Sequence, residues 1–275
     1  MTKRTHLVVG AGKMGGALLQ GWLSSAVIKA EQLIILDPNP GEAAKEAIKK
    51  GALNLSKPSA KLKDIKYILL GIKPQMVSEL APSIAAKTPK GAVIISILAG
   101  TSIETLANAF TNQTIIRTMP NTPASIGKGI TAYTVGPNVS EEQIQMAERL
   151  LAAGGQVHKV DSEAMIDIVT AISGSGPAYI FHMSEALEAA AIKLGMPENM
   201  APTFARQTII GAAGLLEQTD ISASQLRKNV TSPNGTTQAA LDVLMGPEGL
   251  PALIRATAQA AHQRAKELAV DTTKS

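Results

Sequence analysis

Up to about residue 118 the chain alternates short apolar runs with amphipathic stretches, and this alternation restricts the fold more than any other feature. The apolar runs are residues 6–10, 33–37, 67–72, 92–97 and 114–118. Helical spacing fills 12–25, 41–50, 75–86 and 103–110 between them. Runs without polar alternation are strands buried on both faces, and strand–helix repeats set such strands in a parallel sheet covered by helices. Residues 130–135 and 157–160 extend the sheet, with a helix over 141–153 between them. After Asp161 strand signals stop. Residues 162–194, 197–217, 222–229, 237–245 and 247–269 read as helices broken by Gly, Pro and Asn. The fold class is therefore α/β: a parallel-sheet domain over residues 1–161, followed by an all-helical domain over 162–275. The tail, residues 272–275, is expected to fray.

Composition removes several functions. Aromatic residues make up 3% of the chain and the net charge is only +4, a poor match to nucleic acid, which wants stacking platforms and clustered cations. With no cysteine, no disulfide, thiolate metal site or cysteine nucleophile is available. The short apolar stretch after the first five residues is too short for a signal-peptide core, and no apolar run approaches the roughly 20 residues that span a bilayer. A cytoplasmic protein without membrane or nucleic-acid partners is expected.

The segment Val9-Gly10-Ala11-Gly12-Lys13-Met14-Gly15 lies between the first strand and the first helix. This is G-x-G-x-x-G in the context a dinucleotide requires. The first Gly makes the turn, the second lets backbone approach the pyrophosphate, and the third lets helix and strand pack closely. The helix N-terminus adds free N–H groups and a positive dipole end. A glycine turn without ligand is the plainer alternative. Asp37 ends the second strand, 22 residues after Gly15, where an acid bonds the adenosine ribose and repels a 2′-phosphate. It can equally be a turn residue before Pro38.

Other segments end strands in the same layer. Gly71-Ile72-Lys73-Pro74 follows the third strand, and Lys73 can reach phosphate or ribose or simply be solvated. Ile97-Leu98-Ala99-Gly100 has small residues that admit a flat ring. Met119-Pro120-Asn121-Thr122-Pro123 is a rigid connector whose Asn121 can hydrogen-bond a ligand. In the helical part, Ser173-Gly174-Ser175-Gly176-Pro177 weakens an otherwise helical stretch, which suits a kink, a close crossing or a ligand. Thr231-Ser232-Pro233-Asn234-Gly235-Thr236-Thr237 opens another helix, with N–H groups fit to hold a carboxylate or to be capped by Ser or Thr. None of His6, His158, His182 and His262 lies in a motif.

Taken together, the glycine loop, Ile72-Lys73-Pro74, Ala99-Gly100, Met119–Pro123, Ile172–Tyr179 and Thr231–Thr237 resemble pyrroline-5-carboxylate reductase over nearly the whole chain. The resemblance implies a Rossmann-like cofactor domain and NADPH or NADH as cofactor. It implies cofactor contacts from Val9, Gly10, Ala11, Gly12, Lys13 and Met14, from Gly71 to Pro74, and from Ile97, Leu98 and Ala99. Asn229 matches a residue near the nicotinamide. Ser232 and Asn234 belong to the loop around the substrate, Gly235 and Thr236 match the carboxylate-holding positions, and Thr237 matches the catalytic hydroxyl beside the ring nitrogen. A small cyclic imine carboxylate as substrate, and a homodimer often assembled as five dimers, are implied too. No metal is expected.

The chain departs from the family pattern at Asn234, where Gly is usual, at Lys228, where Asp is usual, and at Asp37. Asp37 puts the usual NADPH preference in question. Two other readings compete. A hydroxyacid dehydrogenase of the same build needs a helix lysine as acid–base, for which Lys193 is the candidate without the usual setting. A nicotinamide-sensing regulator needs the glycine loop but not the loop at Thr231–Thr237.

Overall fold

The computed structural model describes residues 2–271, so the tail expected to fray lies outside the described residues. Eight strands form one sheet in the order β3-β2-β1-β4-β5-β6-β7-β8. They are β1 (His6–Val9), β2 (Leu33–Leu36), β3 (Leu53–Leu55), β4 (Tyr67–Leu70), β5 (Val93–Ser96), β6 (Thr114–Met119), β7 (Gly129–Val135) and β8 (Gly155–Lys159). The strands β1, β2, β4 and β5 are buried along their whole length, as their unbroken apolar sequences require.

Two details differ from the sequence expectation. The edge strand β3 is three residues long, and its Leu-Asn-Leu is too short to register as an apolar run. β7 pairs antiparallel with β6, so the sheet is parallel only in the main. The connection from β6 to β7 is a short loop around Thr122–Ile126, which reverses the chain without a crossover helix.

Helices cover both faces. On one side α1 (Lys13–Ser24), α2 (Glu42–Lys49) and α5 (Glu141–Ala152) pack on the sheet around Trp22, Leu18, Ile35 and Leu150. Trp22 Nε1 donates to the Leu150 carbonyl at 2.7 Å, which joins α1 to α5 inside the core. On the other side α3 (Val77–Ala85) and α4 (Ile103–Ala109) pack around Leu70, Ile84, Ile94 and Phe110.

The chain divides into two compact units. One comprises Met1–Ser175 with Ala261–Ser275, the other Gly176–Ala260. By packing, the first unit thus runs 14 residues beyond the expected boundary at 161, because α6 (Glu163–Val169) buries Ile166 against Met119 and Ala132 of the sheet. The expected single helix over 162–194 is α6, a π-helical turn at Thr170–Gly174, and α7 (Gly176–Lys193).

The second unit holds α7, α8 (Ala201–Gln218), α9 (Ala223–Asn229), α10 (Thr236–Leu244) and the first part of α11 (Leu250–Asp271). Every residue of α7 is at least partly exposed, and α8 buries only Ala201 and Ala205. Phe181 and Phe204 are 63% and 54% exposed, respectively, far above what a lone domain tolerates for such side chains. The stretch Glu163–Lys193 is also long and apolar enough to cross a membrane by length and composition, contrary to the sequence expectation. Its hydropathy comes from Ile, Val, Ala and Phe spread between small polar residues rather than from one apolar run.

At the N-terminal edge of the sheet, His6 is 5% exposed. It stacks on Tyr67 with ring centroids 5.5 Å apart, and its Nδ1 shares a 3.0 Å hydrogen bond with Thr5 Oγ1. Burial, helped by nearby Lys66, pushes its pKa down to about 4. A neutral His6 therefore contributes stability that is fully present above the unfolded value near 6.5 and is lost as pH falls through about 4. Urea unfolding at fixed protein concentration should show His6→Phe losing less stability than wild type between pH 7 and pH 4, by up to about 3 kcal/mol. Parallel curves for the two proteins would show that His6 stays protonation-insensitive.

Candidate functional site

The glycine loop sits where the strand order reverses, between β1 and β4. Open α/β sheets bind ligands beyond the carboxyl ends of their strands at this point. Three glycines bring the backbones together there. Gly10 has φ +80°, and a Cβ on it would lie 2.7 Å from the Gly71 carbonyl oxygen. A Cβ on Gly15 would collide with the Gly10 carbonyl. Gly71 donates its N–H to the Val9 carbonyl at 2.8 Å.

Gly12 is different. A Cβ built on it meets nothing within 4 Å, so its packing inside the protein does not demand glycine. Open space at this glycine is what close approach of a ligand requires. Gly12 is also the N-cap of α1, with no side-chain cap, and the first turn carries Lys13 and no acidic residue. The first-turn N–H groups of a 12-residue helix thus face outward with a cation beside them, an arrangement that fits a pyrophosphate.

Asp37 makes the contacts of a turn and loop residue. Its Oδ1 accepts from the Asn39 N–H at 2.8 Å, the mark of a turn residue. Its Oδ2 accepts from the Ala11 N–H at 2.8 Å, which pins the end of β2 to the glycine loop.

The β4 and β5 ends complete this rim. Lys73 is exposed and precedes a 3₁₀ turn at Pro74–Met76, while Ile97 donates its N–H to the Leu70 carbonyl at 3.1 Å. Leu98 is buried. Beside these ends lies a cavity of about 900 Å³ lined in part by Pro74, Ala99, Thr101, Glu104, Asn108 and Arg264. The structure therefore gathers Val9 to Gly15, Asp37, Gly71 to Pro74 and Ile97 to Ala99 at one end of one sheet. Asn121 is spoken for: its Oδ1 accepts from the Ile130 N–H at 2.9 Å and its Nδ2 donates to the Ser173 carbonyl at 3.2 Å. It holds the π-helical turn to the sheet rather than presenting its amide to a ligand.

Asn229, Ser232, Asn234, Gly235, Thr236 and Thr237 lie together in the second unit, at the end of α9 and the start of α10. Asn229 is held by Gln225, whose Nε2 donates to its Oδ1 at 2.8 Å. Thr231 Oγ1 turns back to the Arg227 carbonyl at 2.6 Å. The N-cap of α10 is Gly235, again without a side-chain cap, so Ser and Thr do not cap this helix. Ser232 Oγ occupies the place a Cβ of Gly235 would take, which explains the glycine. Asn234 adopts φ +59°, the left-handed region that Asn tolerates best after Gly, so the loop keeps its shape without the usual glycine. Thr237 is half-buried in the first turn of α10.

Sequence reasoning missed one buried cluster. Arg117 on β6 is 2% exposed and donates to Glu163 Oε1 at 2.9 Å and to Asp167 Oδ1 at 2.7 Å. The signal was present: a charged residue in the middle of Thr-Ile-Ile-Arg-Thr-Met, and two acids four apart on one face of α6. Among the described residues no group of three or more His, Asp or Glu could hold a metal ion.

The chain is similar to known proteins over most of its length. A sequence model of pyrroline-5-carboxylate reductase dimerisation matches residues 163–268, and one of an NADP oxidoreductase, coenzyme F420-dependent, matches residues 7–100. The pyrroline-5-carboxylate reductase of Synechocystis sp. is 34% identical over 95% of this chain and 97% of that protein. That of Pseudomonas aeruginosa is 36% identical over 95% of each. The solved structure of a pyrroline-5-carboxylate reductase from Coxiella burnetii superposes with a TM-score of 0.87 at 30% identity, covering 97% of this chain and 99% of that one. A Plasmodium falciparum pyrroline carboxylate reductase with NADP bound gives 0.82 at 26% identity, covering 98% and 100%.

Proposed function

We infer the activity from one premise: this chain belongs to the pyrroline-5-carboxylate reductase family. It is an NAD(P)H-dependent reductase that converts 1-pyrroline-5-carboxylate to proline, the last step of proline biosynthesis. One observation carries the reading at the level of residues. The helices α1 and α10 each open on an N-cap glycine with no side-chain cap and no acidic residue in the first turn, and each leaves first-turn N–H groups for an anion. A dinucleotide and a small carboxylate are the two anions this reaction needs.

A bound nicotinamide supplies the hydride. The chain's residues bind and orient the two partners, and a water completes the proton supply to the nitrogen. Gly10, Gly12 and the first turn of α1 hold the pyrophosphate, with Lys13 and Met14 beside it. Gly71 to Pro74 and Ile97 to Ala99 line the rest of the cofactor, and Asn229 stands by the nicotinamide. Ser232 and Asn234 shape the substrate loop, and the N–H groups of Gly235 and Thr236 hold the substrate carboxylate. Thr237 Oγ1 bonds the ring nitrogen. A protonated imine is already electrophilic at carbon, so alignment and exclusion of water suffice, with no nucleophile or metal. Lys193, the acid–base a hydroxyacid dehydrogenase would need, is exposed in the last turn of α7.

We assign residues 162–275 to substrate binding and dimerisation. The exposed apolar side chains of α7 and α8 are then covered by a second copy, a role that also accounts for the apolarity of Glu163–Lys193 without a bilayer. A homodimer, extended to five dimers by the family resemblance, in the cytoplasm and without nucleic-acid partners, completes the reading.

The purified protein should consume reduced cofactor when given pyrroline-5-carboxylate, and light scattering should show an even number of subunits. A folded, even-numbered oligomer with no turnover on either cofactor refutes the activity. Thr237→Val removes a hydrogen bond to a charged nitrogen, worth roughly 1.5–3 kcal/mol. We expect kcat/KM to fall about ten- to a hundredfold with the unfolding midpoint unchanged; an unchanged rate makes Thr237 a bystander.

Asp37 sets the cofactor. Its carboxylate accepts from both ribose hydroxyls of NADH but opposes the 2′-phosphate of NADPH, and no Arg follows in Pro38-Asn39-Pro40-Gly41. NADH should serve at least as well as NADPH. Asp37→Asn keeps an oxygen for the Ala11 N–H and removes the charge. It should move the ratio of efficiencies toward NADPH by about tenfold, or ~1.4 kcal/mol. A wild type that strongly prefers NADPH, with a mutant that does the same, leaves Asp37 as a loop brace only.

A further inference from the structure

We propose that Arg117 is the positioning residue for the nicotinamide half of the cofactor site. This rests on the reductase reading above. Asp37 at the end of β2 marks the adenosine side of the crevice, so the nicotinamide extends across the switch point toward the ends of β4 and β5. Three chain segments meet on that side, and one buried guanidinium ties them together.

Arg117 lies on β6, two residues before Met119 and four before Asn121. Its Nη1 donates to Glu163 Oε1 at 2.9 Å and its Nη2 to Asp167 Oδ1 at 2.7 Å, so it grips α6 at two points one turn apart. Glu163 Oε1 also accepts the Ile103 N–H at 2.8 Å. Ile103 opens α4, directly after Ala99-Gly100-Thr101-Ser102, so the same carboxylate fixes the loop that follows β5. At the far end of α6, Asn121 Nδ2 reaches the Ser173 carbonyl in the π-helical turn at 3.2 Å. Arg117 and its carboxylates thus join the β5 loop and the β6 end to α6, and Asn121, four residues further on, ties the same β6 end to the turn before Gly176.

The anchor is fixed by its carboxylates alone. Arg117 Nε is buried and finds no acceptor among the described residues. Among the described residues its polar partners are these two carboxylates, so removing one leaves the guanidinium tied to α6 at a single point. A charge-assisted, two-point fork is the kind of contact that sets geometry more than it adds stability. Small displacements of groups that align hydride donor and acceptor cost rate steeply. The adenosine half, held by Gly10 to Gly15 and Asp37, does not share these contacts.

The test uses full-length Asp167→Asn and Arg117→Lys, with Arg117→Met added where it folds. Circular dichroism and light scattering first confirm a wild-type fold and assembly. ADP-ribose, which lacks the nicotinamide, should bind each variant within about twofold of wild type by calorimetry. Turnover of pyrroline-5-carboxylate at saturating reduced cofactor should fall at least tenfold, with Arg117→Lys less affected than Arg117→Met. The deuterium isotope effect on kcat with 4-deuterated cofactor should rise above the wild-type value, because hydride transfer becomes slower relative to the other steps. Unchanged kcat and isotope effect in folded Asp167→Asn and Arg117→Lys overturn the proposal. So does a loss of ADP-ribose affinity parallel to the loss of kcat, which would make the cluster a general scaffold. A wild-type protein that does not reduce the imine fails the reductase reading instead, and the proposal falls with its premise.

Discussion

The first unit depends on a contact that has no side chain in it. At the switch point the carbonyl of Gly10 occupies the space of a Gly15 Cβ, and the carbonyl of Gly71 occupies that of a Gly10 Cβ. Strand, loop and helix can approach so closely only because all three positions are glycine. The consequence spreads outward. The start of α1 is set directly above the end of β1, and Ala11 is held within reach of Asp37 at 2.8 Å. Any larger residue at Gly10 or Gly15 would push the helix from the sheet, and the anion-ready turn would lose its place. Gly12 belongs to the same motif and contributes nothing to this contact, so packing within the chain does not account for it as it does for the other two.

The second unit is built on a different economy. A helix of 18 residues without a buried position gains little hydrophobic free energy, at roughly 25 cal/mol per Å² of apolar surface removed from water. Ordering its backbone costs about 1–2 kcal/mol per residue. Helices such as α7 and α8 become favourable when their Ile, Phe and Leu side chains are covered, which fits the match of this region to a dimerisation model.

Most of the sheet was legible in the sequence because burial on both faces leaves nothing to disguise it: Leu-Ile-Ile-Leu and Tyr-Ile-Leu-Leu can be little else. The loop motifs were legible because their glycines have stereochemical reasons. What stayed hidden depended on long-range partners. The three residues of β3 form a strand only because β2 lies alongside. The antiparallel turn to β7 follows from a loop too short for a crossover. The boundary at 161 marked the end of strand signals, whereas packing carries α6 with the sheet through Ile166 and Arg117, contacts separated by dozens of residues in the chain. Asn121 looked like a ligand group because a buried amide and a binding amide have the same sequence signature; only its partners Ile130 and Ser173 tell them apart.

Lys13 brings the local and the functional arguments together. A cation in the first turn of a helix opposes the macrodipole and costs about 0.3–1 kcal/mol, and α1 has no acidic residue there to offset it. The other helix starts show the opposite pattern: Glu42, Glu79, Glu104, Glu141 with Glu142, and Glu163 all stand in first turns. The chain thus follows the dipole rule throughout its sheet domain except at α1, whose N-cap Gly12 has no side-chain cap and where a Cβ built on that glycine meets nothing within 4 Å. An anion delivered there satisfies the free N–H groups and the lysine together. Local instability at α1 is therefore intelligible as binding free energy held in reserve, a reading that none of its 12 residues supports alone.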